Sequence, residues 1–116
     1  MAKNDYPVIV YQILSYLYKC LKSGDDVQSV LLNYDSPMFD KINKRYWEYI
    51  MHNLVKYNLI EGIIEVNVDG KPTPYITRLE NCMITPKGIE YLTDNFFLNK
   101  AKEFLKDVRE IVPFSV

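Results

Sequence analysis

Histidine occurs once in this chain, cysteine twice and glycine four times, and each scarcity removes a class of chemistry. With His52 alone, a Ser-His-Asp triad, a Cys-His pair or a multi-histidine metal site would rest on a single imidazole. Cys20 and Cys82 stand far apart and in no C-x-x-C or metal-like spacing, so they read as buried reduced thiols. Gly24, Gly62, Gly70 and Gly88 are scattered singly, which leaves no glycine-rich loop to cradle phosphate. No catalytic residue, metal or cofactor is expected, and an enzymatic role is not the reading.

Long apolar runs are also missing. Nothing approaches the roughly 18 uninterrupted apolar residues of a membrane span, and Met1–Asp5 does not open a signal-type segment. The expectation is a cytoplasmic protein without membrane contact. Charge of one sign is missing too: the formal net charge is −1, so nucleic-acid affinity would need a local basic patch.

What the chain does have is material for a core. Its 116 residues are 48% apolar, enough for one domain that holds together without metals or disulfides. There are no internal repeats or low-complexity tracts. The stretch around which the rest is arranged runs from Lys44 to Gly62. At helical periodicity Trp47, Ile50, Leu54 and Tyr57 share one face, while Arg45, Glu48, His52 and Lys56 share the other. Asn58 tolerates the left-handed conformation that ends a helix, and a β-rich run follows from Leu59 to Val68, closed by Asp69-Gly70. Helix, stop and hairpin form the back half of a winged helix.

Upstream, Asn4 or Asp5 caps a first helix with Pro7 in its opening turn and Val10, Ile13, Leu14, Leu17 and Leu21 on its buried face. That helix is apolar on its flanks as well, through Ile9, Tyr11, Tyr16 and Tyr18, and so needs cover on several sides. Asp25-Asp26 reads as the cap of a short second helix. Ser36-Pro37 reads as a further cap, and Met38 to Ile42 either joins the third helix or forms a separate turn. In the hairpin, Ile64, Val66 and Val68 alternate with Glu65 and Asn67, the pattern of a strand with one wet face. Pro72 and Pro74 make the returning segment an edge or irregular tip, and Cys82 to Ile84 a last short strand. Thr85-Pro86 caps a helix carrying Ile89 and Leu92 inward, and a final helix carries Ala101, Phe104, Leu105, Val108, Ile111 and Val112 along one side. The predicted fold is α+β, a winged helix-turn-helix with an extra C-terminal helix, in one domain. Its helices lie near 6–23, 26–33, 39–57, 86–95 and 99–112, with the wing near 59–85.

The run Met83-Ile84-Thr85-Pro86-Lys87-Gly88-Ile89-Glu90-Tyr91-Leu92 resembles the I-T-x-x-G-x-x-Y-L junction that follows the wing in several winged-helix families. Together with Leu54, Tyr57 to Gly62 and Ala101 to Pro113, it is similar to the YjcQ-like family of small bacterial and phage proteins, from about residue 6 onward. The resemblance implies a winged helix and a bacterial, phage or prophage setting. It implies no activity, so it transfers no catalytic residue. The junction also has its own physical logic: Thr85 caps, Pro86 presets the first helical φ, and Gly88 lets the helix lie close to the wing strands.

Two functions fit this sequence. The first is a regulator that binds double-stranded DNA through the third helix. Lys41, Lys44 and Arg45 cluster at its start, with Glu48, His52 and the wing's Lys71 as further contacts. From Pro37 to Tyr57 four cations face two carboxylates, whereas from Asn58 to Thr85 two cations face four, and so acidic a wing is repelled by phosphate. The second is therefore a protein-interaction module that presents a neutral or acidic surface. For His52 the ordinary reading is a solvent-facing helix residue, for Lys44 and Arg45 a solvated face, and for Tyr46, Trp47, Tyr49 and Tyr57 core packing with polar tips outward. The surplus of apolar helical surface also suggests a homodimer through the terminal helices, with Tyr11, Tyr18, Phe104, Leu105, Val108 and Ile111 at its interface, unless the last helix folds back on the first.

Overall fold

The first helix, α1 (Tyr6–Ser23), is buried along most of its circumference, from Val8 and Ile9 through Tyr11, Ile13 and Leu14 to Leu17 and Cys20. Such a helix belongs in the middle of a domain. In a computed structural model that describes residues 1–107, it packs against the last strand and the last two helices. Pro7 sits in its first turn, where the missing N–H costs nothing, and Asp5 occupies the cap position while its carboxylate accepts the N–H of Ala2 at 2.8 Å. Gly24 ends it at φ 75°, and its N–H and that of Asp25 both reach the Cys20 carbonyl.

Asp25-Asp26 does not cap the second helix. The Tyr16 hydroxyl accepts the N–H of Gln28 at 2.8 Å and holds the chain extended there, so α2 is the single turn Ser29–Leu32. Met38 to Ile42 form a separate turn: the Ser36 hydroxyl accepts the N–H of Met38, and Lys41 has a left-handed φ of 36°. These two features delay α3 to Lys44–Lys56, later than the predicted start near 39. Asn43 caps it by accepting the N–H of Tyr46 at 2.8 Å. The buried indole of Trp47 donates to the Leu32 carbonyl at 2.9 Å, which fixes α3 against the end of α2. The terminator is Asn58, at φ 60°, with the N–H of Leu59 bonded to the Leu54 carbonyl and that of Asn58 to the Val55 carbonyl.

The wing is a hairpin broken into two antiparallel pieces. At its root β1 (Ile60–Glu61) pairs with β4 (Met83–Ile84); in its outer half β2 (Ile64–Val66) pairs with β3 (Tyr75–Thr77), setting Val66 opposite Tyr75 and Glu65 opposite Ile76. On one strand the break falls at Gly62 (φ 97°), on the other at Arg78 (φ 63°) and a 3-10 turn, Leu79–Asn81. A Cβ on Gly62 would lie 1.9 Å from the Asn81 carbonyl oxygen, so only glycine lets the strands cross here.

The Thr85 hydroxyl accepts the N–H of Gly88 at 2.9 Å and donates to the Asn58 carbonyl at 2.5 Å, joining the end of α3 to the start of α4 (Pro86–Asp94). A Cβ on Gly88 would approach the Leu59 carbonyl oxygen to 2.2 Å, so the close approach read from the sequence is realised. Asn95 then accepts the N–H groups of Phe97 and Leu98, which starts α5 (Phe96–Asp107) three residues earlier than the predicted 99. The helix folds back on α1 and α4 and buries Leu98, Ala101 and Leu105.

This packing corrects the expected dimer surface. Tyr11 and Leu105 lie inside the protomer, because the α1 flank that needed cover receives it from α5 of the same chain. Tyr18 and Phe104 are half-buried against the same core. Val108 and Ile111 lie outside the described residues. The fold is α+β, a winged helix-turn-helix followed by an extra helix. Among the described residues no helix is long and apolar enough to cross a membrane.

Candidate nucleic-acid interface

In a winged helix the exposed side of α3 and the adjoining wing are the surfaces offered to a ligand. Trp47, Ile50, Met51 and Leu54 point inward, as the periodicity requires. Tyr57, expected with them, is 55% exposed because it sits at the terminator beyond the last packed turn. Tyr49 is 51% exposed, so core packing does not hold for it either. Tyr46 is half-buried and donates its hydroxyl to the Asn4 carbonyl at 2.8 Å.

Glu48 departs most from expectation. Instead of sharing the open face with Arg45, His52 and Lys56, its side chain is 2% exposed and lies beneath the returning segment of the wing. Its Oε1 accepts the Lys71 ammonium at 2.5 Å and the Thr73 hydroxyl at 3.1 Å; the ammonium also reaches the Thr73 carbonyl and hydroxyl. Neither Glu48 nor Lys71 is therefore placed to touch DNA, since each is committed to the other. A carboxylate this dry requires its cation, and Pro72 and Pro74, unable to donate to a ladder, leave that segment free to drape over α3.

The outer wing follows the same logic. Its strands alternate as predicted but with the opposite sense: Glu65 turns toward α3, while Ile64 and Val66 face outward together with Tyr75, and the following Val68 is exposed as well. Glu65 meets His52, with Nδ1 2.5 Å from Oε2, so His52 is tied to the wing through one ring nitrogen while the side chain stays 44% exposed. The Tyr75 ring lies between two cations, Lys71 at 4.5 Å and Lys44 at 5.3 Å from its centroid.

The open stripe that remains on α3 consists of Arg45, Tyr49, His52, Asn53 and Lys56, with Lys44 and Lys41 at its leading end. Glu48 is the only acidic residue between Lys44 and Lys56, so its burial against Lys71 leaves α3 itself without an exposed carboxylate, although the wing's Glu65 reaches the stripe at His52. Tyr49 and Asn53 join this surface without a sequence signal of their own, whereas helical phase already places Lys56 on the polar face, although the DNA-contact candidates omit it.

Elsewhere the chemistry is quiet. Cys20 and Cys82 are buried and unlinked, and burial pushes the Cys82 thiol up to about 12. Among the described residues no three His, Cys, Asp or Glu side chains group as metal ligands would. Arg78 faces Glu80 at 3.9 Å, both well exposed, so the second cation of the wing has a neighbouring carboxylate.

Neither the curated proteins nor the solved structures include a match to this chain. A family model does match, over residues 11–111, and on that nearly complete coverage the chain belongs to the YjcQ protein family.

Proposed function

We propose that the protein binds double-stranded DNA through α3, as a regulator of bacterial or phage genes would. The observation that carries this reading is the cationic stripe on α3, along which the helix itself exposes no carboxylate. Lys44, Arg45 and Lys56 face solvent on a helix whose single acidic side chain is buried against Lys71, and Lys41 extends the positive end. Arg45 is suited to guanine edges, and the lysines to phosphates. Because the wing spends Lys71 on Glu48, the phosphate footprint rests on α3 and the turn before it. Three or four neutralised phosphates correspond to a log–log salt slope of roughly 3 to 4.

Fluorescence anisotropy with pooled genomic fragments at low salt tests the reading. The wild type is expected to bind, and the Lys44→Ala/Arg45→Ala variant to lose affinity at every sequence. Absence of any shift for the wild type would remove it.

One observation favours a second reading, that of a protein-interaction module. The outer wing turns Ile64, Val66 and Tyr75 to solvent, with Val68 exposed beyond them, where a DNA-contacting wing would carry free cations. Under that reading Val66→Glu abolishes partner binding and leaves DNA untouched.

A further inference from the structure

Tyr49 lies on α3 and Tyr57 caps its C-terminal end eight positions later, about 12 Å along the axis, and both residues are more than half exposed. Tyr6, at the start of α1, meets Tyr49 edge to face with centroids 6.4 Å apart. Tyr46, one turn before Tyr49 on α3, donates its hydroxyl to the Asn4 carbonyl just ahead of α1, so Tyr6, Tyr46 and Tyr49 lie where the starts of α1 and α3 meet. The group is rimmed by cations of the α3 stripe: Arg45 one turn before Tyr49, and Lys56, whose ammonium lies 5.7 Å from the Tyr57 ring centroid. Asp5, at the edge of this surface beside Tyr46, has its carboxylate engaged by the Ala2 N–H.

Exposed aromatic residues spaced along a helix, with cations alongside, match the chemistry of an unpaired strand. Bases stack on the rings without regard to sequence, and phosphates meet the cations. We infer that the tyrosine surface around Tyr49 and Tyr57 binds single-stranded nucleic acid, stacking unpaired bases while Arg45 and Lys56 hold the phosphates. The inference rests on the nucleic-acid reading of α3 and narrows its substrate to DNA that is open or partly open, such as a melted or frayed duplex. Arg45 and Lys56 beside the rings favour an anionic partner over an apolar one, and the paired exposed rings favour stacked bases over an acidic peptide.

The test is anisotropy titration of the full chain with labelled oligothymidylate, beside a fully paired duplex of the same length. The wild type is expected to bind the single strand. Tyr49→Ala and Tyr57→Ala should each weaken that binding by roughly fivefold to a hundredfold, the range for loss of one stacking ring, and Tyr49→Phe and Tyr57→Phe should retain it. Both side chains are exposed, so circular dichroism should find the alanine variants folded. The inference is overturned if the duplex binds and oligothymidylate does not, an outcome that leaves the duplex reading standing. It is equally overturned if the Tyr49→Ala/Tyr57→Ala variant binds oligothymidylate as the wild type does. Binding of the single strand without the duplex would support it and retire the duplex reading; failure of both ligands retires the two together.

Discussion

Replacing Lys71 with methionine removes the cation that neutralises Glu48 and leaves the carboxylate where water barely reaches it. The Glu48 side chain is 2% exposed and that of Lys71 22%, and one carboxylate oxygen, Oε2, has no hydrogen-bond partner even with the lysine present. Removing one member of a buried pair costs about 3–5 kcal/mol. Because Lys71 keeps part of its side chain in water, solvent can partly replace it, so the lower end, about 2–3 kcal/mol, is expected. For a domain of this size that is a fall in Tm of roughly 10 °C. Glu48→Gln, which keeps the shape and removes the charge, should cost less. The double variant Glu48→Met/Lys71→Met should recover most of the loss, since an apolar pair of similar volume substitutes well for a buried ion pair. Urea unfolding of the wild type, Lys71→Met, Glu48→Met and the double variant, followed by the fluorescence of Trp47, buried next to Glu48 in the chain, measures all four corners of this double-mutant cycle. A Lys71→Met variant within about 0.5 kcal/mol of wild type, or a cycle without coupling, would refute the wing contact described here. The same variants separate structure from binding, because Glu48→Gln should leave affinity for nucleic acid unchanged.

Two further outcomes follow from groups away from the interface. Burial raises the Cys82 thiol from 9.0 to about 12, and burial together with Tyr91, Tyr49, Tyr57 and Tyr46 raises the Tyr6 phenol from 10.0 to about 12. The unfolded chain therefore sheds these protons first. Their contribution to stability is intact below pH 9 and declines as pH rises toward 12, by up to about 1.4 kcal/mol per pH unit for a fully shifted group and less for the half-exposed Tyr6. Urea titrations at successive pH values should show the decline beginning near pH 9 in the wild type and one unit later in Cys82→Ala; identical profiles would contradict the assignment. Gly88→Ala places a methyl group 2.2 Å from the Leu59 carbonyl oxygen and 2.7 Å from Ile84 Cγ1. It should lower Cm by the equivalent of about 3 kcal/mol, and a near-neutral result would mean that α4 does not lie against the wing root as described.

The devices legible in the sequence were those decided by a few neighbouring residues. Asn58 and Gly24 as terminators and Thr85-Pro86 as a cap each act within one turn, and each stands where the chain indicated. The same locality explains the misplaced start of α2, because the hydroxyl that holds Gln28 extended comes from Tyr16, twelve residues back on another helix. Alternation in the wing fixed the period of β2 but not its sense. Which side faced the protein depended on where the outer hairpin came to rest, and that was decided by contacts spanning 13 residues for His52 with Glu65 and 23 for Glu48 with Lys71. The DNA-contact candidates divided along the same line. Lys44 and Arg45 remain exposed at the head of α3, where helical phase alone places them, and Lys41 is exposed in the turn before it, whereas Glu48 and Lys71 were lost to a partner that no local pattern announces.

The broken hairpin also bears on how this architecture can vary. The root of the wing is held by backbone ladders and by the Thr85 junction, while the outer half joins it through two left-handed crossing points, Gly62 and Arg78, and is pressed onto α3 by side chains. Orientation of the outer wing is thus tied to side-chain identity at positions 48, 52, 65 and 71, whereas the root is held by its own ladder and cap. Exchanging a few residues there could re-aim the wing, and with it the recognition surface, while the α1-centred core and the path of the chain stay as they are.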